Sequence, residues 1–408
     1  MSCCFDTPSP VFLFRPRFAL SLAQKKRVKM ITKTSVGTQA SFSSIFLLLI
    51  LSFLSSLLPF SCLQAQTVGD VFGFPSTEPG YSLGVSACYA GRIGNRLVMA
   101  GGCNFPTPGK KVYYSGIYAA QIDRDVLSWR LVGWLPAPAA YGATVVSGDS
   151  LLFIGGCNGE RSLRAVYSLH LSSDGMRADI RSVGHLPCTV DNMSAALADD
   201  VVCVFGGNQD GKPSKRMLSL RLGGQKAAWQ TDDGAMSRPR VQPVCVAAEG
   251  KVYIWGGFDN TSADSAGCHV STDGLCYDPA SGEWTPLVAP RSQSGEQLTL
   301  SGGVAWAEDG VVFATGGVNK DIFLDAISGQ YKKVKKEDYL FQPVRWYRFG
   351  DSLLRYDVDR GEWQHPVFSD SRLARAGAQV VPSPLGAYYI GGELKPAVRT
   401  PQICIISE

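Results

Sequence analysis

Histidine is scarce in this chain of 408 residues. The four that occur, His170, His185, His269 and His365, are scattered and form no metal-ligand spacing. No Cys-x-x-Cys occurs either. The cysteines from Gln66 onward (Cys88, Cys103, Cys157, Cys188, Cys203, Cys245, Cys268, Cys276 and Cys404) show no paired spacing, so neither a zinc site nor a disulfide framework is written here. Most sit in strand-like runs and read as small buried apolar residues. From Gln66 onward basic blocks are missing beyond Lys332–Lys336, which argues against nucleic acid as a partner. No Pro/Ser/Gly-rich linker divides residues 66–408, so they read as one domain. Long hydrophobic runs are absent too, with one exception.

That exception is Ile45–Phe60, rich in Leu, Phe and Ser. It is preceded by Lys25, Lys26, Arg27, Lys29 and Lys33 and followed by Leu-Gln-Ala-Gln, with Ala65 as a cleavage position. Residues 1–65 therefore read as a leader and secretory signal peptide, with Met30 as an alternative start, and the protein as exported and periplasmic. A membrane anchor is the plainer alternative. Cys62 permits lipoprotein anchoring, but Pro59-Phe60-Ser61 is a poor context for it. The leader holds seven Lys/Arg against Asp6, so it contributes +6 to a whole-chain charge of +4 and leaves about −2 for the rest. The mature domain is expected to have no membrane partner. An odd number of cysteines in an exported domain leaves at least one thiol unpaired.

What is abundant is glycine, in pairs. Six short apolar runs end in Gly-Gly, at Gly102, Gly156, Gly207, Gly257, Gly317 and Gly392, spaced by 54, 51, 50, 60 and 75 residues. A strand ending in Gly-Gly at a period near fifty marks propeller blades of the kelch type. Each blade is a four-stranded sheet that cannot bury both faces alone, so blades stack around a channel. Inner strands are expected just before each pair, the first over Gly84–Ala90. Third strands follow the pairs, and fourth strands often carry Trp. Tyr277–Trp284 and Tyr356–Trp363 repeat a Tyr-Asp…Gly-Glu-Trp pattern with hairpin turn chemistry between. The fold class is thus all-β, a six-bladed propeller. The sixth blade is one strand short, and Thr67–Phe74 could supply it, closing the ring by pairing the termini.

The 75-residue spacing holds an insertion over Lys320–Arg348. Ile322, Phe323, Leu324, Ala326, Ile327 and Tyr331 suit a short helix better than a strand. A helical excursion is expected between the second and third strands of the fifth blade, over the channel mouth or against a partner in a homodimer.

In a propeller the loops after the Gly-Gly strands converge on one mouth. Here they open with Asn104-Phe105-Pro106, Asn158-Gly159-Glu160, Asn208-Gln209-Asp210, Phe258-Asp259-Asn260, Asn319-Lys320-Asp321 and Glu393-Leu394-Lys395. Asparagine tolerates tight turns, but a ring of amides also suits a polyhydroxylated ligand. Asn104, Phe105, Asn158, Asn208 and Asn319 are therefore candidate ligand-binding residues. The sixth loop alone offers Glu393, Lys395 and Arg399 within seven residues. A Glu393–Arg399 salt bridge that only braces the loop is the plain alternative.

Gly391–Thr400, GGELKPAVRT, resembles the Glu-x-Lys-Pro-x-x-Arg-Thr signature of bacterial N-acetylneuraminate epimerases, the sialic acid mutarotases. Thr315–Phe323, Glu337–Gln342 and Gly101–Pro106 resemble the same family. The signature lies in the last blade, an order similar to the cyclically permuted mutarotase subgroup. The resemblance implies that Glu393 and Arg399 are the catalytic pair. Mutarotation of such a keto-sugar acid needs a base at the anomeric hydroxyl and an acid at the ring oxygen, with no cofactor and no metal. Glu393 is the candidate base. Arg399 could hold the substrate carboxylate or stabilise the developing charge, and Lys395 is a candidate acid or second anchor. A non-catalytic sugar- or protein-binding module, or a mutarotase of another acidic sugar, stays open at this point.

Overall fold

A computed structural model describes residues 66–223, 228–233, 236–261 and 267–407. The leader read at residues 1–65, with Met30 and Cys62, lies outside the described residues, as do Ala227 in one expected outer strand and Glu408.

About half of the described residues are strand, in sheets whose strands pair antiparallel. Six of them are built on four strands each. In chain order their innermost strands are Tyr89–Ile93, Ala143–Ser147, Ser194–Ala198, Val241–Ala248, Gly303–Glu308 and Gln379–Ser383. Each innermost strand packs beside two others, and the succession returns on itself, so the sheets stand radially around a channel as propeller blades. In the sixth blade Thr67–Val71 is the outermost strand, paired antiparallel with Ile403–Ser407.

The channel wall carries a closed ring of backbone hydrogen bonds. Ala87 N–H donates to Gly377 O, Gly377 to Gly302, Gly302 to Gln242, Gln242 to Asn192, Asn192 to Tyr141 and Tyr141 to Ala87, at 2.7–3.0 Å. All six residues adopt positive φ, between 53° and 72°. This corrects the expected position of the first inner strand. It starts at Tyr89 rather than Gly84, because Ala87 must turn left-handed to join the ring.

The glycine pairs lock neighbouring blades together. The second glycine of each pair donates its N–H across to the next blade: Gly102 to Ala139 O, Gly156 to Val190 O, Gly207 to Arg240 O, Gly257 to Ser301 Oγ, Gly317 to Arg375 O and Gly392 to Val85 O, all at 2.8–2.9 Å. Such approach leaves no room for a side chain. A Cβ on Gly391 would lie 2.6 Å from Val85 O, and one on Gly392 2.8 Å from Ala378 Cβ, both at positive φ. The carbonyl of the first glycine also needs a donor. Tyr81 supplies it to Gly101, Tyr89 to Gly155, Gln209 to Gly206, Arg240 to Gly256 and Arg375 to Gly391.

The core is six apolar layers, one between each pair of neighbouring blades. Successive strand residues face opposite ways, so Leu97 and Met99 pack toward the sixth blade while Val98 and Ala100 pack toward the second. Burial on both faces explains why these strands read as continuous apolar runs. The nine cysteines named above are free thiols.

The insertion leaves the fifth blade after Val311–Gly316. Its helix α1 (Lys320–Ile327) is capped by Asn319 Oδ1, which accepts from Ile322 N at 3.1 Å. Two 3-10 turns follow, Lys336–Phe341 and Val344–Tyr347. The Asp325 carboxylate, accepting from Lys332 N and Lys333 N at 2.9 Å each, fixes the chain between α1 and the first of these turns.

Candidate functional site

One register repeats at the mouth of every blade. The residue after each glycine pair lies beside the residue that precedes the ring member: Cys103 by Ser86, Cys157 by Ala140, Asn208 by Asp191, Phe258 by Val241, Val318 by Ser301 and Glu393 by Ala376. Among the six residues that follow the pairs, Glu393 alone is ionisable to a carboxylate, and its neighbour in the hairpin supplies the counter-charge. Glu393–Lys395 and Val398–Arg399 pair antiparallel with Glu393 opposite Arg399, across a tight turn in which Ala397 takes φ 65°. A two-strand hairpin thus puts both side chains on one face, and the Arg399 guanidinium meets the Glu393 carboxylate as an ion pair.

The pair is enclosed. The Arg399 side chain is 4 % exposed and that of Glu393 22 %. The Arg399 guanidinium lies 5.1 Å over the Phe105 ring, on the first-blade hairpin Cys103–Thr107/Lys110–Tyr113. Burial pushes the Glu393 carboxyl up to about 7, although Arg399 and then Lys111 pull it down. Burial works against the Arg399 charge, but Glu393, Tyr141 and Cys103 together hold its pKa above the ordinary arginine value. The contact with Glu393 does not satisfy the arginine. Nη1 is the nitrogen that meets Glu393, while Nε of Arg399 is buried with no hydrogen-bond acceptor among the described residues.

The same pocket gathers residues that the sequence reading did not single out. Lys111 Nζ donates to Tyr141 Oη at 2.9 Å and sits 4.4 Å over its ring. The Cys103 thiol reaches the same oxygen at 3.5 Å. On the far side, the second 3-10 turn of the insertion packs against the Glu393–Lys395 strand. Its Tyr347 hydroxyl donates to Tyr339 O, and the two rings meet edge-on at 5.4 Å. Burial raises both phenols, and the Glu393 charge adds to the effect. Aligning the inner strands of the repeats would have brought Tyr141 forward, since it is the only aromatic among the ring positions.

Lys395 stands in this arrangement as a clamp. Its ammonium donates to Leu340 O at 3.1 Å and Gln342 O at 2.7 Å, joining the hairpin to the insertion. The asparagines expected to bind ligand are each tied into local structure. Asn104 is fully buried; its amide donates to Gly80 O and Gly84 O at 2.8 and 2.9 Å and accepts from Tyr114 at 2.8 Å. Asn158 closes its own turn by accepting from Glu160 N and Arg161 N. Asn319 caps α1. Asn208 donates to Asp191 Oδ1 at 2.8 Å, within a polar chain that continues through Asn192 to Gln242. Nearby backbone, carboxylate or hydroxyl groups engage one amide atom each of Asn158, Asn208 and Asn319 and both amide atoms of Asn104. Of the candidate ligand residues outside the sixth loop, Phe105 is the one set against Arg399.

Comparison with known proteins places this geometry. The family model for N-acetylneuraminate epimerase matches residues 183–407, which include Glu393, Lys395 and Arg399. Similar curated proteins named N-acetylneuraminate epimerase come from Pasteurella multocida, 28% identical over 228 residues (53% of this chain, 56% of that one), and Yersinia enterocolitica, 31% identical over 196 residues (44% and 47%). The "N-acetylneuraminate epimerase 1" of Escherichia coli is 27% identical over 171 residues, 40% of this chain and 44% of that one. The chain spans about half the length of the curated relatives it matches. With more than half of its residues matched by the family model, this β-propeller belongs to the N-acetylneuraminate epimerase family.

Proposed function

We propose that the protein is a mutarotase that interconverts the α and β anomers of N-acetylneuraminate by opening and reclosing its ring. The observation that carries this reading is the state of Arg399. A guanidinium that only braced a loop would spend its donors on its partner. This one meets Glu393 through Nη1 and still keeps a buried Nε unspent, next to a carboxylate whose pKa lies at about 7. Unspent buried donors favour an anionic ligand. A general base is most effective when its pKa lies near the working pH. One site thus offers an anchor for the sugar carboxylate and a base for the anomeric hydroxyl beside it. Phe105 closes one side and the insertion the other.

The chemistry follows from these groups. Arg399 holds the substrate carboxylate, which fixes the adjacent anomeric carbon near Glu393. Glu393 takes the anomeric proton, the ring C–O bond opens to the ketone, the carbonyl turns, and closure on its other face returns the proton. Lys395 acts through the insertion it clamps. The leader-like residues 1–65 make export to the periplasm part of this reading.

Anomer equilibration followed by one-dimensional NMR tests it, with N-acetylneuraminate, another acidic keto-sugar and a neutral aldose as substrates. Acceleration confined to N-acetylneuraminate supports the reading. Acceleration only of the other acidic sugar moves the substrate. Binding of N-acetylneuraminate without acceleration makes the domain a sugar-binding module.

A further inference from the structure

Glu393 accounts for one of the two proton transfers that mutarotation needs. The group that protonates the ring oxygen is unassigned, and Lys395 is occupied by two backbone carbonyls. Resting on the mutarotase reading, we propose that Tyr141, poised by Lys111, is that acid.

Three observations converge on it. The first is the hydrogen-bond inventory of one atom. Tyr141 Oη accepts from the Lys111 ammonium at 2.9 Å and from the Cys103 thiol at 3.5 Å. Both contacts consume lone pairs, so the phenolic hydrogen points elsewhere, and it finds no acceptor among the described residues. The second is place. Tyr141 belongs to the second blade but reaches the first-blade hairpin at Cys103 and Lys111, and the Phe105 of the same hairpin lies under Arg399. The tyrosine and the Glu393–Arg399 pair therefore meet the same hairpin, and the charges of Arg399 and Glu393 are both felt at the phenol. The third is conformation. Tyr141 holds φ 59° in the ring, where Ala87, Asn192, Gln242, Gly302 and Gly377 occupy the other places. A bulky aromatic is poorly suited to that region. Backbone strain of this kind collects at functional positions.

Other hydroxyls serve less well. Tyr347 spends its hydrogen on Tyr339 O. Tyr339 lacks a cation at its oxygen, whereas the Lys111 ammonium beside Tyr141 stabilises the phenolate that proton transfer leaves behind. The step then balances. Glu393 removes the proton of the anomeric hydroxyl, whose O–H electron pair becomes the carbonyl π bond. The bond from the anomeric carbon to the ring oxygen breaks, and the released pair takes the Tyr141 proton. Glu393 is left protonated and Tyr141 ionised against Lys111. After the carbonyl turns, the reverse transfers close the ring and return both protons to their donors.

The test measures kcat and KM for N-acetylneuraminate anomer exchange in the full-length protein. Tyr141→Phe removes the hydroxyl and keeps the ring. It is expected to lower kcat roughly 10²-fold, the usual worth of a positioned proton donor, with KM changed less than about twofold and the acid limb set by Glu393 unmoved. Lys111→Met is expected to lower kcat as well. The double variant should be no slower than Tyr141→Phe, because the two residues act as a unit. If Tyr141→Phe fails to fold, as read by its melting temperature, Lys111→Met carries the test. Tyr141→Phe or Lys111→Met at wild-type kcat, or a loss seen only in KM, overturns the assignment and leaves Glu393 as base untouched. A wild-type protein that accelerates no anomer exchange overturns both.

Discussion

The raised Glu393 carboxyl ties stability and activity to one titration, and Glu393→Gln separates them. In the unfolded chain this carboxyl titrates at its ordinary 4.5; in the folded protein it titrates at about 7. The folded state therefore binds the proton more tightly. Its contribution to stability is fully present below pH 4.5 and is lost as pH rises toward 7. The gap of about 2.5 units, at about 1.36 kcal/mol per unit, corresponds to about 3 kcal/mol. The glutamine variant keeps the size and an acceptor for Arg399 but does not titrate. Denaturant midpoints of the two proteins at pH 4 and pH 8 should show the wild type losing about 3 kcal/mol relative to Glu393→Gln across that range. Activity moves the opposite way. The base form exists above about 7, so the wild-type exchange rate should fall about tenfold per unit below it. Glu393→Gln should lie near the uncatalysed rate, a loss of roughly 10²–10⁴-fold. A stability difference that is the same at both pH values, or an activity limb near pH 4–5, would refute the raised carboxyl. Retention of most of the rate by Glu393→Gln would falsify its role as base.

Arg399→Lys should raise KM strongly with a smaller change in kcat, because an ammonium cannot reproduce a two-point contact with a carboxylate; steady-state exchange kinetics read the split. Lys395→Met frees Leu340 O and Gln342 O, so the insertion should become more protease-sensitive near Phe341 and KM should rise several-fold, while the melting temperature of the propeller stays unchanged. Asn104→Ala strands two buried carbonyls and the Tyr114 hydroxyl and should cost about 1–3 kcal/mol in chemical denaturation. KM at temperatures where that variant is folded should match the wild type, which a ligand-binding asparagine would not allow.

The glycine pairs made the blades legible because their role is steric, and steric need shows in residue type. A position that meets a neighbour's carbonyl at 2.6 Å accepts nothing but glycine, as at Gly391. The Glu393–Arg399 hairpin was legible for a related reason: a carboxylate and a guanidinium lie within seven residues around Pro396-Ala397, so local chain geometry alone brings them together. The insertion helix was legible in type, though it ends at Ile327 and gives way to 3-10 turns. The structural contacts of the asparagines were not legible because an amide looks the same in sequence whether it binds a sugar or caps a turn; the side-chain oxygens of Asn319 and Asn158 accept from backbone N–H groups three residues on. Lys111 and Tyr141 were hidden because they lie some 250 residues or more before Glu393, and only ring closure brings them near it. Arg375 and Arg240 look like surface charges in sequence, yet both are buried to serve glycine carbonyls.

That closure also explains why the site sits where it does. Glu393 is carried by the sixth blade, whose outer strand comes from Thr67–Val71, and its pocket is completed by hairpins of the first blade and the ring position of the second. A continuous chain of polar contacts runs from the closing strand to the site. Asp70 accepts from Gln402 Nε2 at 3.1 Å and pairs with Arg372 at 3.3 Å. Gln402 in turn accepts from Arg375 through both its side-chain and backbone oxygens, at 2.9 and 2.8 Å. Arg375, fully buried over the Tyr389 ring, donates to Gly391 O at 3.0 Å, and Gly392 N–H crosses to Val85 in the first blade. The next residue is Glu393. Seating the base against Phe105 and Lys111 thus requires the first and sixth blades in register, and their register is what the closing strand fixes. In a closed ring, distortion of any one interface is shared by all. An open ring would place its slack at this seam, so closure sets the geometry of the proposed chemistry as well as burying a strand edge.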